Sequence, residues 1–239
     1  MKNFFYISVL ISLLSISNAQ VKSIHLTGDY SSALNKRLEI TKADAVGALV
    51  SIKINLIDNL NINFTSGYKL YSLNEQDVLG SWDWDFWTER YYPKIISDLN
   101  ADPNLSVEIG AVQKMDLIPI ILLFSYDLKF IDDLNFSPSL GGGIYFYTRR
   151  MFATENWSKK FPEANYTLTY SYRNFAPDKK GNPVFTKAGF EITYTLLSYL
   201  DLTASTFYIK VIKTNGSMGY DMFPFDSELS INFGLSFKY

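Results

Sequence analysis

The stretch Glu228–Tyr239, ELSINFGLSFKY, decides how this chain is read. Its odd positions are Leu229, Ile231, Phe233, Leu235, Phe237 and Tyr239; its even positions are Glu228, Ser230, Asn232, Gly234, Ser236 and Lys238. Side chains alternate across a β-strand, so one face is wholly apolar and the other polar or small. Twelve residues exceed the usual globular strand and match the roughly 9 to 11 that a tilted strand needs to cross a bilayer.

Working outward, the same period recurs. Ala188–Leu196 alternates, then turns through Ser198–Asp201 into Leu200–Tyr208. Val46–Leu56 turns at Asp58-Asn59 into Leu60–Leu70, although Leu49 breaks the polar row. Leu105–Phe130 is long enough for one extended strand or a bulged one, and Pro119 predicts a bulge or bend. Beyond Asp132-Asp133, Phe136–Tyr147 carries three consecutive glycines, which suit a crowded, coiled wall. Ser23–Tyr30 supplies the first strand.

The expected fold is all-β: an eight-stranded antiparallel transmembrane up-and-down barrel. Connections are short at 57–60, 131–135 and 197–201 and long at 31–44, 74–104, 150–184 and 213–226, the asymmetry of short periplasmic turns and long extracellular loops. Aromatic residues make up 16% of the chain, which suits girdles at two lipid–water boundaries.

Lys2, the apolar run Phe4–Ile16 and Ser17-Asn18-Ala19 have the order of a cleavable secretory signal, so residues 1–19 are read as a signal peptide and 20–239 as the barrel domain. With no cysteine, neither disulfides nor thiolate metal sites hold the fold. A net charge of −2 gives no reason to expect nucleic acid. The localisation expected is the outer membrane, the oligomeric state a monomer.

An eight-stranded barrel has room inside only for its own side chains. The inward phase carries His25, Asp29, Lys53, Lys69, Asp127, Lys129, Glu191, Glu228 and Lys238, expected to pair as a polar network that fills the lumen. His25 is the lone histidine and is read as lacking a serine partner, so no catalytic residue, cofactor or metal is assigned. In the 74–104 segment Trp82, Trp84 and Trp87 are read either as a stacking surface for a hydrophobic or glycan ligand or as the interfacial anchor of a partly helical lid. Arg149, Arg150, Lys159 and Lys160 are candidates for lipopolysaccharide phosphates, or an ordinary solvated loop.

Leu117-Ile118-Pro119-Ile120-Ile121-Leu122, then Tyr126, a two-Asp turn and Ser137-Pro138-Ser139-Leu140-Gly141-Gly142-Gly143-Ile144-Tyr145, resembles the fourth and fifth strands of OmpW-like and OmpA-like outer-membrane barrels. The resemblance implies a non-enzymatic membrane barrel, with a narrow path for small or hydrophobic solutes, or a surface role for loops that bind lipopolysaccharide or a partner. A lipid A-modifying barrel enzyme is the remaining alternative. The ending Phe237-Lys238-Tyr239 resembles the signal by which assembly machinery recognises such barrels, which implies that role for Phe237 and Tyr239.

Overall fold

The computed structural model describes residues 20–214, 216 and 218–238. The signal peptide read at 1–19 and the terminal aromatic Tyr239 lie outside the described residues.

Apolar–polar alternation produces strands β1 (Gln20–Lys36), β2 (Ile40–Ile57), β3 (Leu60–Glu75), β4 (Leu105–Tyr126), a four-residue arm β5 (Leu128–Ile131) and β6 (Leu134–Phe161). They are followed by β7 (Tyr166–Phe175), β8 (Lys179–Gly181), β9 (Val184–Leu197), β10 (Leu200–Val211) and β11 (Phe225–Lys238). Antiparallel ladders join β1 to β2, β2 to β3, β3 to β4, β4 to β6, β6 to β9, β9 to β10, β10 to β11, and β11 back to β1. Eight strands close a cylinder without a free edge, the arrangement that leaves no backbone polar group unpaired in a wall facing hydrocarbon.

Outward residues such as Leu26, Val46, Phe64, Ile118, Leu122, Leu140, Phe146, Ile192, Leu202, Phe233 and Leu235 are all exposed. A continuous belt of this kind is foreign to a water-soluble surface, where large apolar patches are rare. It is the surface a lipid bilayer accepts.

The tight connections at one end, here the turn end, are two-residue turns at Asp58-Asn59, Asp132-Asp133 and Ser198-Tyr199. The opposite, loop end departs from expectation. No long loop spans 31–44: β1 and β2 continue to a two-residue turn in which Leu38 (φ 53°) and Glu39 (φ 57°) are both left-handed. The ladder persists because Ala33, Ile40, Ala43 and Ala45 still bury an inward face. The 150–184 segment is largely strand as well, since β6 runs on to Phe161 and pairs with β7 as a hairpin above the barrel. The 74–104 segment is partly helical, with a π-helical turn at Phe86–Tyr91 leading into the helix Tyr92–Ala101.

Pro119 causes no bulge. Ser66 pairs with Ile120 and Lys69 with Leu117 in one unbroken register, and only the intervening pairs of that ladder lapse. Proline has no N–H to give, and the ladder on the other side, where Pro119 faces Tyr145, holds the strand straight.

Candidate functional site in the barrel lumen

Inward positions build the candidate site, and its chemistry changes with height. Along β10 the inward series reads Asp201, Thr203, Ser205, then Phe207, Ile209, Val211; along β3 it reads Asn61, Asn63, Thr65, then Lys69, Tyr71, Leu73. The turn-end half is polar and the loop-end half mostly apolar, so the uniformly polar interior expected from sequence is corrected.

Nearest the turn end, Asp127 accepts from Lys53 (2.7 Å), Lys22 (2.6 Å) and Ser137 (2.6 Å). Glu191 lies 3.9 Å from Lys53 and 3.4 Å from His25 Nδ1, while His25 Nε2 and the Ser23 hydroxyl are 2.8 Å apart. His25 therefore has a serine partner after all, two residues earlier on the same face of β1. Lys238 pairs with Asp201 at 2.6 Å on the rim. Lys129 does not join the network: it stands on the exposed β5 arm and pairs with Asp132 at 2.9 Å, because the chain leaves the wall at Asp127.

At mid-height Lys69 lies 3.1 Å from Asp29 and 3.4 Å from Glu228 and donates to Ser31 at 2.7 Å. The hydroxyls of Tyr71 and Tyr145 donate to Glu228, and those of Ser31 and Ser230 to Asp29. One ammonium thus faces two carboxylates whose remaining lone pairs are occupied by hydroxyl donors, the condition under which buried charge is tolerated.

Above this layer the lumen is filled by Tyr147, Phe185, Phe207, Tyr220, Phe223 and Phe225 among other apolar side chains. Tyr220 and Phe223 belong to the segment before β11, which folds down into the mouth as a stopper. Arg37 holds it, donating from its guanidinium to the Tyr220 carbonyl (2.8 Å) and lying over the Tyr220 ring. Arg149 donates to the Met222 carbonyl (2.8 Å) and to Gln113 (2.8 Å), with Glu75 at 3.5 Å. Arg149 is therefore a buried clasp and not a group offered to an external phosphate. The three glycines earn their place here: a Cβ on Gly143 would lie 2.8 Å from the Phe185 ring and closer still to the Ile120 carbonyl.

The other loop candidates separate likewise. Trp82, Trp84 and Trp87 are buried against Val78, Ile95, Met151, Ala153 and Trp157, so they form the core of the lid and offer no open stacking surface. Beneath the lid, Glu155 accepts from Trp157 (2.8 Å), Asn174 (2.5 Å) and Tyr91 (3.2 Å). Arg150 is outward and pairs with Asp116 at 2.8 Å; Lys159 pairs with Asp102 at 3.0 Å; Lys160 lies on the polar side of the β6–β7 hairpin. Phe237 faces outward.

Sequence reading missed Lys22, Ser23, Tyr71, Tyr145 and Lys187. Lys22 sits at a register shift between Val21 and Ser23, which breaks the phase that would have flagged it. Lys187 lies one residue before Ala188, where the alternating stretch begins, yet its inward phase matches Glu191.

Two spaces adjoin the polar half among the described residues. A vestibule of about 200 Å³ opens at the turn end among Lys22, Ser23, His25, Lys53, Asp127 and Lys238. A smaller cavity of about 40 Å³ lies above it, bordered by Lys187, Ser51, Thr65, Ser205 and Asn232, and His25 borders both. Among the described residues no group of three or more metal-ligating side chains converges.

No family model and no curated protein matches this chain. Among solved structures it is similar to Neisserial surface protein A, with 11% identity over 93% of this chain and 100% of that chain and a TM-score of 0.46. It is similar to Ail, the attachment invasion locus protein of Yersinia pestis, in complex with the heparin analogue sucrose octasulfate, with 7% identity, 92% and 100% coverage and a TM-score of 0.41. The N-terminal β-barrel domain of Pseudomonas aeruginosa OprF gives 9% identity, 93% and 100% coverage and a TM-score of 0.36. Scores at this level assign no function, and the chain's own closed strand register and exposed apolar belt are what make it a small barrel of the outer-membrane type.

Proposed function

We propose that this chain is a non-enzymatic integral outer-membrane β-barrel whose lumen is shut to free diffusion. One observation carries the reading: the apolar belt outside surrounds an interior closed twice, by the Lys69 cluster at mid-height and by the stopper above it. The export-type start at 1–19 and the contrast of short turns with an elaborate loop end support the outer membrane as the location. In this reading lipid and lipopolysaccharide surround the belt, and assembly machinery engages the last strand. Kinship with OmpW-like barrels in particular belongs to the proposal and is carried by residues 117–145 alone.

The test is fractionation followed by planar-bilayer recording. Protein in the outer-membrane fraction that migrates differently with and without boiling, and gives no conductance steps, is the expected result. A protein that is folded and monodisperse in plain buffer overturns it. A narrow path for small or hydrophobic solutes requires the stopper to leave, since reversible hydrogen bonds from Arg37 and Arg149 hold it. If Arg37→Ala with Arg149→Ala conducts where the parent does not, the shut lumen is a gated path; if both stay silent, the barrel is a scaffold for its loop-end structure.

A second reading has one observation in its favour. Ser23, His25 and Glu191 are linked in the order of an acyl hydrolase, and Ser23 and His25 border an open vestibule. A fluorophosphonate that labels Ser23 in the folded barrel, and fails to label Ser23→Ala, would establish it. Absence of labelling leaves the chain as hydrogen bonds within a polar core.

A further inference from the structure

The basic side chains buried in the lumen are His25, Lys53, Lys69, Arg149 and Lys187 among the described residues. The first four each lie within ion-pair distance of a carboxylate. Lys187 is 3% exposed and has neither an ion-pair partner nor a hydrogen bond among the described residues; its ammonium rests 3.9 Å from the centre of the Phe207 ring. The carboxylates whose fields reach it are committed elsewhere: Asp29 to Lys69, Ser31 and Ser230, and Glu191 to His25 and Lys53. A buried ammonium without a contacting counter-charge is strongly disfavoured, and a ring face offsets only part of that cost.

Lys187 borders the inner cavity of about 40 Å³, room for roughly three water-sized particles. The other walls supply donors. Ser205 accepts from Asn232 at 3.1 Å, which leaves its own proton undirected. Ser51 and Thr65 share one hydrogen bond at 2.5 Å, which uses one of their two hydroxyl protons and leaves the other for the cavity. Glu191 also borders the space, with its oxygens engaged by His25 and Lys53. His25 stands between this cavity and the vestibule, so access runs from the turn end.

We propose that the cavity beside Lys187 is a buried binding site for one small monovalent anion of the halide class, reached from the turn-end vestibule past His25. The ammonium and two hydroxyl protons would hold the ion, and the cavity is too small for a sulfate with its hydration. The site depends on the geometry of the lumen and not on which membrane, if any, surrounds the barrel.

Crystals of the full barrel grown with bromide in place of chloride test this. One anomalous peak within hydrogen-bond distance of the Lys187 ammonium, absent from Lys187→Met, is the expected result; water alone in the cavity of the parent protein overturns it. Should Lys187→Met fail to fold, the unboiled-gel melting midpoint of the parent decides at matched ionic strength. A midpoint raised by bromide and chloride but not by sulfate or gluconate supports the site, whereas an equal rise with every salt overturns it.

Discussion

The two halves of the lumen solve one problem in different ways. At the turn end the wall residues are Asn61, Thr65, Ser137, Thr203 and Ser205, and the space between them holds ion pairs, a vestibule and a small cavity. At the loop end they are Tyr71, Met115, Leu117, Tyr147, Phe207 and Ile209, and rings close the space. Ion pairs demand partners at fixed distances and leave gaps where partners do not meet; rings of varied size fill space without such demands. Openings therefore persist in the polar half, and closure falls to the apolar half.

The largest expected effect comes at the seam. Lys69→Met removes the cation shared by Asp29 and Glu228 and should lower stability by about 3–5 kcal/mol, measured by urea unfolding in lipid bilayers. A loss under about 1 kcal/mol would mean the charge cluster is not what fixes mid-lumen packing. Phe223→Ala empties a fully buried site whose ring lies 4.6 Å from Phe225 and 5.1 Å from Tyr147, and should cost about 3 kcal/mol in the same assay. Conductance gained by this variant but not by Lys69→Met would assign closure to the apolar half alone.

Ser137→Ala in the polar half deletes one of three donors to Asp127 and should cost about 1 kcal/mol, since Lys53 and Lys22 remain. The loop-end structures carry a pH dependence of their own. Burial lifts the phenols of Tyr91 and Tyr220 above their ordinary value of 10.0, with Glu155 adding to the first and the hydrogen bond to Asp226 to the second. Their neutral forms are favoured by folding, so this stabilisation is complete below pH 10 and is lost as pH rises through the raised values. Lid and stopper should loosen in that alkaline window while the strands hold, seen as a shift in tryptophan emission without loss of the β-sheet circular dichroism signal. Lys94→Ala breaks an exposed helical pair with Asp98 and should change stability by less than about 0.5 kcal/mol.

Much of this architecture is written in the alternation of β11, β9, β3 and β2, because a period of two assigns each residue to one face of a strand wherever that strand is placed. The inward phase likewise marks Asp29, Lys53, Lys69, Glu191 and Glu228. A signal for the apolar half was present too: from Phe207 to Val211 both faces turn apolar except at Lys210, as expected where a wall between lipid and a dry interior must be greasy on both sides. The 31–44 turn was not legible, since Leu38-Glu39 lacks the Asn or Gly that ordinarily announces a left-handed pair.

By itself, the sequence determined which side chains point in and which point out, and hence the closed barrel, because strand periodicity is a local property of the chain. Only the tertiary structure decided which inward groups meet. Lys22 and Asp127, or Lys69 and Glu228, are separated by 105 and 159 positions and brought together by ring closure and register. The same closure takes Arg149 out of the solvent, packs the tryptophans inside the lid and leaves Lys187 facing an inner cavity, since depth along a strand becomes environment only when all its neighbours are in place.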